Sequence, residues 1–159
     1  KMTTIAYRHG VLAADSCMTA NGCKLGSMVK IRRREDGALA GAAGSAGYAA
    51  AFLKWFLAKE GSPPEAKEVD RYLDKGVIFY PDGRIEVYEP GGPFEVSAPY
   101  YAFGSGSSEA LGDMFAGADA VTAVQAAIEH CPHTFGEIAV LNHDGIAEAL
   151  GIPRLEAAE

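Results

Sequence analysis

The sequence predicts an α+β fold, a layered sandwich of sheets covered by helices. Runs of short β-like segments alternate with pairs of helical segments, in the order four strands, two helices, three strands, two helices and one strand. A doubly wound sheet would instead alternate single strands with single helices. The 159 residues fit one domain, which we expect to span residues 3–150 before a short tail at 151–159.

Four strands are predicted before residue 44: residues 3–8, 11–15, 27–33 and 38–43. The first two are joined at His9-Gly10, a dipeptide that suits a tight turn with positive φ at the glycine. Residues 21–26 have the composition of a loop. The small residues of the fourth strand predict a place where backbones come close together.

Two helices are predicted next. Tyr48, Phe52 and Phe56 recur at helical spacing after Ser45, and a Gly-Ser-Pro-Pro run ends the pattern. A second, shorter helix is predicted over residues 65–73, with charged residues along one side.

Strands return in the second half of the chain, over residues 77–80, 84–88 and 100–103. Pro81-Asp82-Gly83 predicts the turn between the first two of them. Two helices broken near Gly117 follow, the second with Asp119 as its N-cap, and the last strand is predicted over residues 137–142.

Composition argues against several classes of protein. Hydrophobic residues make up 48% and charged residues 22% of the chain, as in ordinary globular domains. The formal net charge of −7 disfavours binding to nucleic acid or to an anionic membrane, because both need a basic surface. No apolar run approaches the ~20 residues that span a bilayer, and no leader pattern is visible. We expect no nucleic-acid partner and no membrane association.

Cys17, Cys23 and Cys131 contain no C-x-x-C pair, so neither a disulfide framework nor a zinc site is indicated. Free thiols fit a reducing compartment, and we expect a cytoplasmic protein. His130, Cys131 and His133 offer three soft ligands in one loop. Without a fourth ligand at a recognised spacing, we interpret them as surface residues. We expect no metal ion and no cofactor.

Thr3 is the candidate nucleophile. Lys1 is expected to be an addition, since translation would begin at Met2. If Met2 is removed, Thr3 carries a hydroxyl and a free α-amine on one residue, and these can serve as nucleophile and general base. Thr3 and Thr4 are also ordinary residues for the start of a strand, so this pattern alone decides nothing.

Four local patterns occur in order along nearly the whole chain. They are Thr-Thr-Ile at residues 3–5 with Gly-Val-Leu-Ala-Ala-Asp at 10–15, Val-Lys-Ile at 29–31, Ala-Gly-Ala-Ala-Gly-Ser-Ala at 40–46, and Gly-Ser-Gly-Ser at 104–107. Each is weak alone. Together, with helix pairs predicted after the third and the fourth, they resemble the proteasome β-subunit and HslV peptidase family of N-terminal-nucleophile hydrolases. The resemblance implies a four-layer α/β/β/α sandwich in which each sheet is covered by a helix pair and Thr3 lies at one end of the cleft between the sheets.

The resemblance also implies roles for five residues. Thr3 would be the nucleophile, with its own freed amine as general base. Lys30 would be a cation beside it, held in place by Asp15. The backbone N–H of Gly44 would bind the oxyanion of the tetrahedral intermediate, and Ser105 would help to orient the amine.

Residues beside the nucleophile would form the specificity pocket, and here these are apolar: Met18, Met28, Ala42 and Ala46. We therefore expect an apolar side chain before the scissile bond. Cys131 falls where the family usually has an aspartate. This departure weakens the expected hydrogen-bond network around the serine and the amine.

The implied function is threonine-type hydrolysis of peptides or unfolded proteins inside a ring-shaped homo-oligomer, and an AAA+ unfoldase partner is compatible with it. Two alternatives stay open. One is a non-catalytic shell or scaffold subunit that never frees Thr3, and the other is an N-terminal-nucleophile amidohydrolase acting on a small amide. While Lys1 and Met2 remain attached, Thr3 has no free amine, and we expect the chain to be inactive.

Overall fold

The structure is a computed structural model that describes residues 3–132 and 134–145. Thirteen strands and three helices lie within these ranges. The strands are β1 (Thr4–Arg8), β2 (Val11–Ala14), β3 (Cys17–Ala20), β4 (Cys23–Ser27), β5 (Ile31–Arg33), β6 (Leu39–Ala43), β7 (Glu68–Val69), β8 (Tyr72–Leu73), β9 (Lys75–Phe79), β10 (Ile85–Tyr88), β11 (Phe94–Val96), β12 (Tyr100–Gly104) and β13 (Ala139–Asn142). The helices are α1 (Ala46–Ala58), α2 (Ser107–Phe115) and α3 (Ala120–His130). The predicted tail, 151–159, and the last residues of the predicted domain, 146–150, lie outside the described residues.

Two antiparallel sheets form the middle of the molecule. One has the strand order β12-β1-β2-β13 and the other β11-β10-β9-β6-β5. In the first sheet Ile5 of β1 lies opposite Phe103 on one side and Ala14 on the other. In the second sheet Gly41 of β6 lies opposite Ile31 of β5. Successive side chains of a strand point to opposite faces, so each sheet has two faces to cover.

The sheets stack face to face, and helices cover their outer faces. Ile5 and Tyr7 belong to the apolar cluster between the sheets, where the Tyr7 ring stacks on Phe79 with 4.2 Å between centroids. Ala6, between them in sequence, packs in the cluster under α2 and α3. Phe52 of α1 packs on the outer face of the other sheet. The predicted α+β, four-layer α/β/β/α fold is therefore confirmed.

The helix predicted over residues 65–73 is wrong, and within the described residues α1 is the single helix of the outer layer on that side. Strands β7 and β8 form a small hairpin there instead, with Glu68 opposite Leu73. Its base is closed by the bond from the Asp74 N–H to the Lys67 carbonyl, 2.9 Å long. Val69 and Leu73 remain 43% and 39% exposed. The helix was predicted with charged residues along one side, but such a helix also needs its apolar face buried, and the apolar Val69 and Leu73 are not buried here.

The region predicted as a loop at residues 21–26 lies mostly in a second hairpin, formed by β3 and β4. Asn21 and Gly22 both have positive φ, 51° and 76°, as a two-residue hairpin turn requires. The strand predicted over residues 27–33 is broken, because only Ile31–Arg33 pairs with β6. Edge strand β11 was not predicted.

The predicted helix starts after Ser45 and at Asp119 are confirmed. The Ser45 side chain accepts a hydrogen bond from the Tyr48 N–H, and the Asp119 side chain accepts one from the Thr122 N–H. Such caps satisfy amide groups that the first helical turn leaves unpaired. Ser45 matters most for the site, because its cap fixes where β6 becomes α1.

None of the helices in the described part of the chain is long and apolar enough to cross a membrane.

Candidate active site

Thr3 lies immediately before β1, next to the end of β12, and is 7% exposed. Gly104, with φ of +99°, lies so close that a Cβ there would overlap the Thr3 carbonyl. Glycine therefore lets the two backbones approach. The Thr3 N–H donates to Ser105 Oγ at 3.1 Å, and that hydroxyl donates to the Thr3 carbonyl oxygen at 3.3 Å. Ser105 thus contacts both polar backbone groups of Thr3.

A buried ion pair lies beside Thr3. Lys30 Nζ donates to both carboxylate oxygens of Asp15, at 3.1 and 3.0 Å, and the two residues are 2% and 1% exposed. Asp15 also accepts hydrogen bonds from the backbone N–H groups of Thr4, at 2.8 Å, and of Cys17, at 3.3 Å. Its carboxylate therefore orients Lys30 and ties together the first residues of β1 and β3.

Burial raises the pKa of Asp15 and lowers the pKa of Lys30, and the attraction between the two charges opposes both shifts. A buried ammonium with a lowered pKa releases its proton more easily than a surface lysine does. Lys30 is placed as a local positive charge, held by its two bonds to Asp15.

An apolar cleft opens on one side of Thr3. Its volume is about 350 Å³, part of which is open to solvent. Its lining includes seven of the nine predicted site residues: Thr3, Lys30, Gly44, Met18, Met28, Ala42 and Ala46. The structure thus brings the predicted nucleophile, cation, oxyanion donor and specificity pocket together, and Asp15 and Ser105 contact members of this set.

A second, wider opening lies on the other side of Thr3, with a volume of about 770 Å³ including space open to solvent. Thr3, Gly44 and Ser105 line it, as do Arg71 and Tyr72 of the β7–β8 hairpin. The hairpin residues were missed by the sequence analysis, because a helix was predicted where they lie. The local signal was Asp70, a common turn residue, in the segment that follows the Gly-Ser-Pro-Pro run at 61–64.

The loop after α3 differs from its interpretation as a surface loop. His130, the last residue of α3, is exposed, but Cys131 is only 7% exposed. Thr134, which was not predicted, is 1% exposed, and its hydroxyl lies 2.8 Å from Thr4 Oγ1. A hydroxyl pair therefore links this loop to β1. His133 lies outside the described residues.

Within residues 3–132 and 134–145, no group of three or more His, Cys, Asp or Glu side chains is arranged to hold a metal ion. What the described cluster offers is a hydroxyl, a nearby buried ammonium group and a glycine turn at the start of a helix. Such a set can support attack of an oxygen nucleophile on a carbonyl carbon.

Comparison with solved structures agrees with this architecture. The chain matches the structure of Thiobacillus denitrificans BPH in complex with epoxomicin at 21% sequence identity and a TM-score of 0.62, over 100% of both chains. This likeness shows that the two chains share a fold. No protein-family model and no curated protein sequence matches the chain.

Proposed function

We propose that this chain is a threonine-type peptidase subunit that cleaves peptide bonds with Thr3 once Met2 has been removed. The observation that carries the proposal is the grouping of Thr3, Lys30 and Gly44 around one apolar cleft. Epoxomicin binding by the neighbour of the same fold supports the same class of chemistry.

The reaction follows from the groups beside Thr3. The freed α-amine, with an ordinary pKa of about 7.7–8.0, takes the proton of the Thr3 hydroxyl as the oxygen attacks the substrate carbonyl. Lys30, as a cation, disfavours the ammonium form of that amine and stabilises the charge developing on the oxygen. The Gly44 N–H stabilises the oxyanion, a contribution of about 3–4 kcal/mol for one such donor.

The amine then passes its proton to the leaving nitrogen, and an ester forms on Thr3. Water hydrolyses this ester with the amine again acting as base. The apolar cleft formed by Met18, Met28, Ala42 and Ala46 receives the side chain before the scissile bond. We expect peptides and unfolded proteins as substrates, in a ring-shaped cytoplasmic homo-oligomer to which an AAA+ unfoldase could deliver them.

The proposal is tested by intact-mass spectrometry of protein expressed from Met2 without added residues, before and after incubation with epoxomicin. An epoxyketone presents two electrophilic carbons, which suits a residue carrying both a hydroxyl and an amine. We expect loss of one methionine and a single covalent adduct on Thr3. The Thr3→Ala variant should form no adduct, whereas Thr122→Ala, a matched change on the exposed face of α3, should react like the wild type.

A retained methionine, or a freed Thr3 that never reacts, would support the scaffold alternative instead. Cleavage of small amides without cleavage of any peptide would support the amidohydrolase alternative.

A further inference from the structure

Asp74 is a buried carboxylate that the mechanism above does not use. It lies between β8 and β9 and is 3% exposed. Its Oδ1 accepts a hydrogen bond from the Ser45 N–H at 2.8 Å, and its Oδ2 accepts one from the Lys67 N–H at 3.1 Å. Burying a carboxylate is costly unless its oxygens are paired, so these bonds fix the side chain firmly in place.

Asp74 also packs directly against Gly44. A Cβ built on Gly44 would lie 2.6 Å from the Asp74 Cα and would overlap the Asp74 carboxylate. Gly44 has φ of +106°, a conformation that other residues rarely adopt. Close contact and positive φ together leave the Gly44 backbone little freedom.

The Gly44–Ser45 peptide is therefore held from both sides. Its N–H is bound by Asp74, and Ser45 is fixed as the N-cap of α1 through its bond to the Tyr48 N–H at 3.2 Å. The orientation of the Gly44 N–H follows from that of the next peptide, since only φ and ψ of Gly44 lie between them.

The negative charge of Asp74 cannot itself stabilise an oxyanion, because like charges repel. Its two oxygens are instead occupied by the N–H groups of Ser45 and Lys67. Any contribution that it makes to catalysis is therefore geometric.

We propose that Asp74 is a positioning residue for the oxyanion site: by binding the Ser45 N–H and packing on Gly44, it sets the direction of the Gly44 N–H. It also joins this turn to the β7–β8 hairpin, which lines the wider opening beside Thr3. The inference rests on the peptidase function proposed above.

The test compares Asp74→Asn, Asp74→Glu and Asp74→Ala with the wild type, on a fluorogenic peptide with an apolar residue before the scissile bond. Asparagine keeps an oxygen of the same reach for the Ser45 N–H, whereas glutamate keeps the charge but displaces the carboxylate. We expect kcat to fall roughly 100-fold in the alanine and glutamate variants, which is the usual effect of losing one oxyanion donor. In the asparagine variant kcat should fall less than about 10-fold. KM should change less than about 3-fold.

Two controls separate positioning from general damage. Asp119→Ala removes a carboxylate that also binds a backbone N–H, at the start of α3, and should lower thermal stability while leaving kcat unchanged. Periodate cleaves the amino alcohol of an N-terminal threonine without needing an oxyanion site. All Asp74 variants should therefore be oxidised at the wild-type rate.

The inference is overturned if Asp74→Ala keeps wild-type kcat, if Asp74→Glu is as active as Asp74→Asn, or if periodate oxidation slows in step with kcat. If Asp74→Ala does not fold, the ranking of the asparagine and glutamate variants still decides the question. A wild-type protein that resists periodate, or that is oxidised but hydrolyses no peptide, contradicts the proposed function itself, and the inference fails with it.

Discussion

At the scale of single residues, the site depends on the buried pair of Asp15 and Lys30. Replacing Lys30 by methionine keeps most of the side-chain volume but leaves the Asp15 carboxylate buried without its cation. We expect Lys30→Met to lower the free energy of unfolding by about 3–5 kcal/mol and to abolish peptidase activity. Urea denaturation and peptide hydrolysis measure the two effects.

The double variant Asp15→Asn/Lys30→Met separates stability from function. With both charges removed, the cost of an unpaired buried charge disappears, so most of the lost stability should return while activity does not. Lys54→Met, on the exposed face of α1, serves as the control and should match the wild type in both measurements. A double variant less stable than Lys30→Met alone would contradict this account of the pair.

Asp36 gives a prediction about pH. Hydrogen bonds from Arg34 lower the pKa of Asp36 to about 2 from its ordinary value of 3.8. A lowered pKa in the folded state contributes stability that is present above pH 3.8 and is lost as the pH falls towards 2. Asp36 is 41% exposed, so we expect Asp36→Asn to cost under about 1 kcal/mol at pH 7.

The measurement is urea denaturation of the wild type and Asp36→Asn at pH 7, 4 and 3. The difference between them should shrink between pH 4 and 3, and 1 M salt should reduce it at pH 7 because exposed charges are screened. A difference that stays constant across this range would show that the carboxylate charge is not its source.

At the scale of elements, the contact between α1 and the sheet depends on Gly76. A Cβ on this residue of β9 would overlap the Phe52 ring, which is fully buried under α1. We expect Gly76→Ala to lower the free energy of unfolding by about 1–3 kcal/mol, the usual cost of overpacking.

Gly112 provides the matched control. It lies within α2, and a Cβ there would meet no atom within 4 Å. Gly112→Ala should therefore stabilise the protein by up to about 1 kcal/mol, because alanine loses less conformational freedom in a helix. Thermal unfolding of both variants tests the pair, and equal effects of the same sign would contradict the packing argument.

The β7–β8 hairpin was predicted as a helix, and its residues show why that prediction failed. Residues 65–73 were predicted as a helix with charged residues along one side, but a surface helix is stable only when its other face is buried against a core. Here the segment is closed by bonds between Lys67 and Asp74, and its apolar residues stay exposed. By contrast, α1 was predicted correctly because its Tyr48 and Phe52 do meet a sheet.

At the scale of the whole molecule, the layers follow from strand alternation. In β1 the side chains of Ile5 and Tyr7 face the other sheet, and Ala6 faces α2 and α3. The hairpin turns at His9-Gly10 and Pro81-Asp82-Gly83 were also predictable, because the residues of a turn determine its geometry locally. Pairing between distant strands, such as β1 with β12, was not predicted.

The residues of the candidate site also include some that the sequence predicted and some that it did not. Thr3, Asp15 and Lys30 could be predicted, because each lies in one of the motifs that together carry the family resemblance. Thr134 and Asp74 could not, because their partners are remote in sequence: Thr134 meets Thr4, and Asp74 meets Ser45. Neither of these two residues carries a motif of its own.

By itself, then, the sequence determined the α+β class, most of the strands and the starts of α1 and α3, because these depend on propensity and short spacing. The candidate nucleophile and its neighbours came from the family resemblance, which short motifs along the chain carry. Tertiary structure alone decided that residues 68–73 form a hairpin, that Cys131 is buried, and that the Asp74 carboxylate binds the Ser45 N–H next to Gly44. Burial and long-range hydrogen bonds depend on which surfaces meet, and no local pattern encodes that.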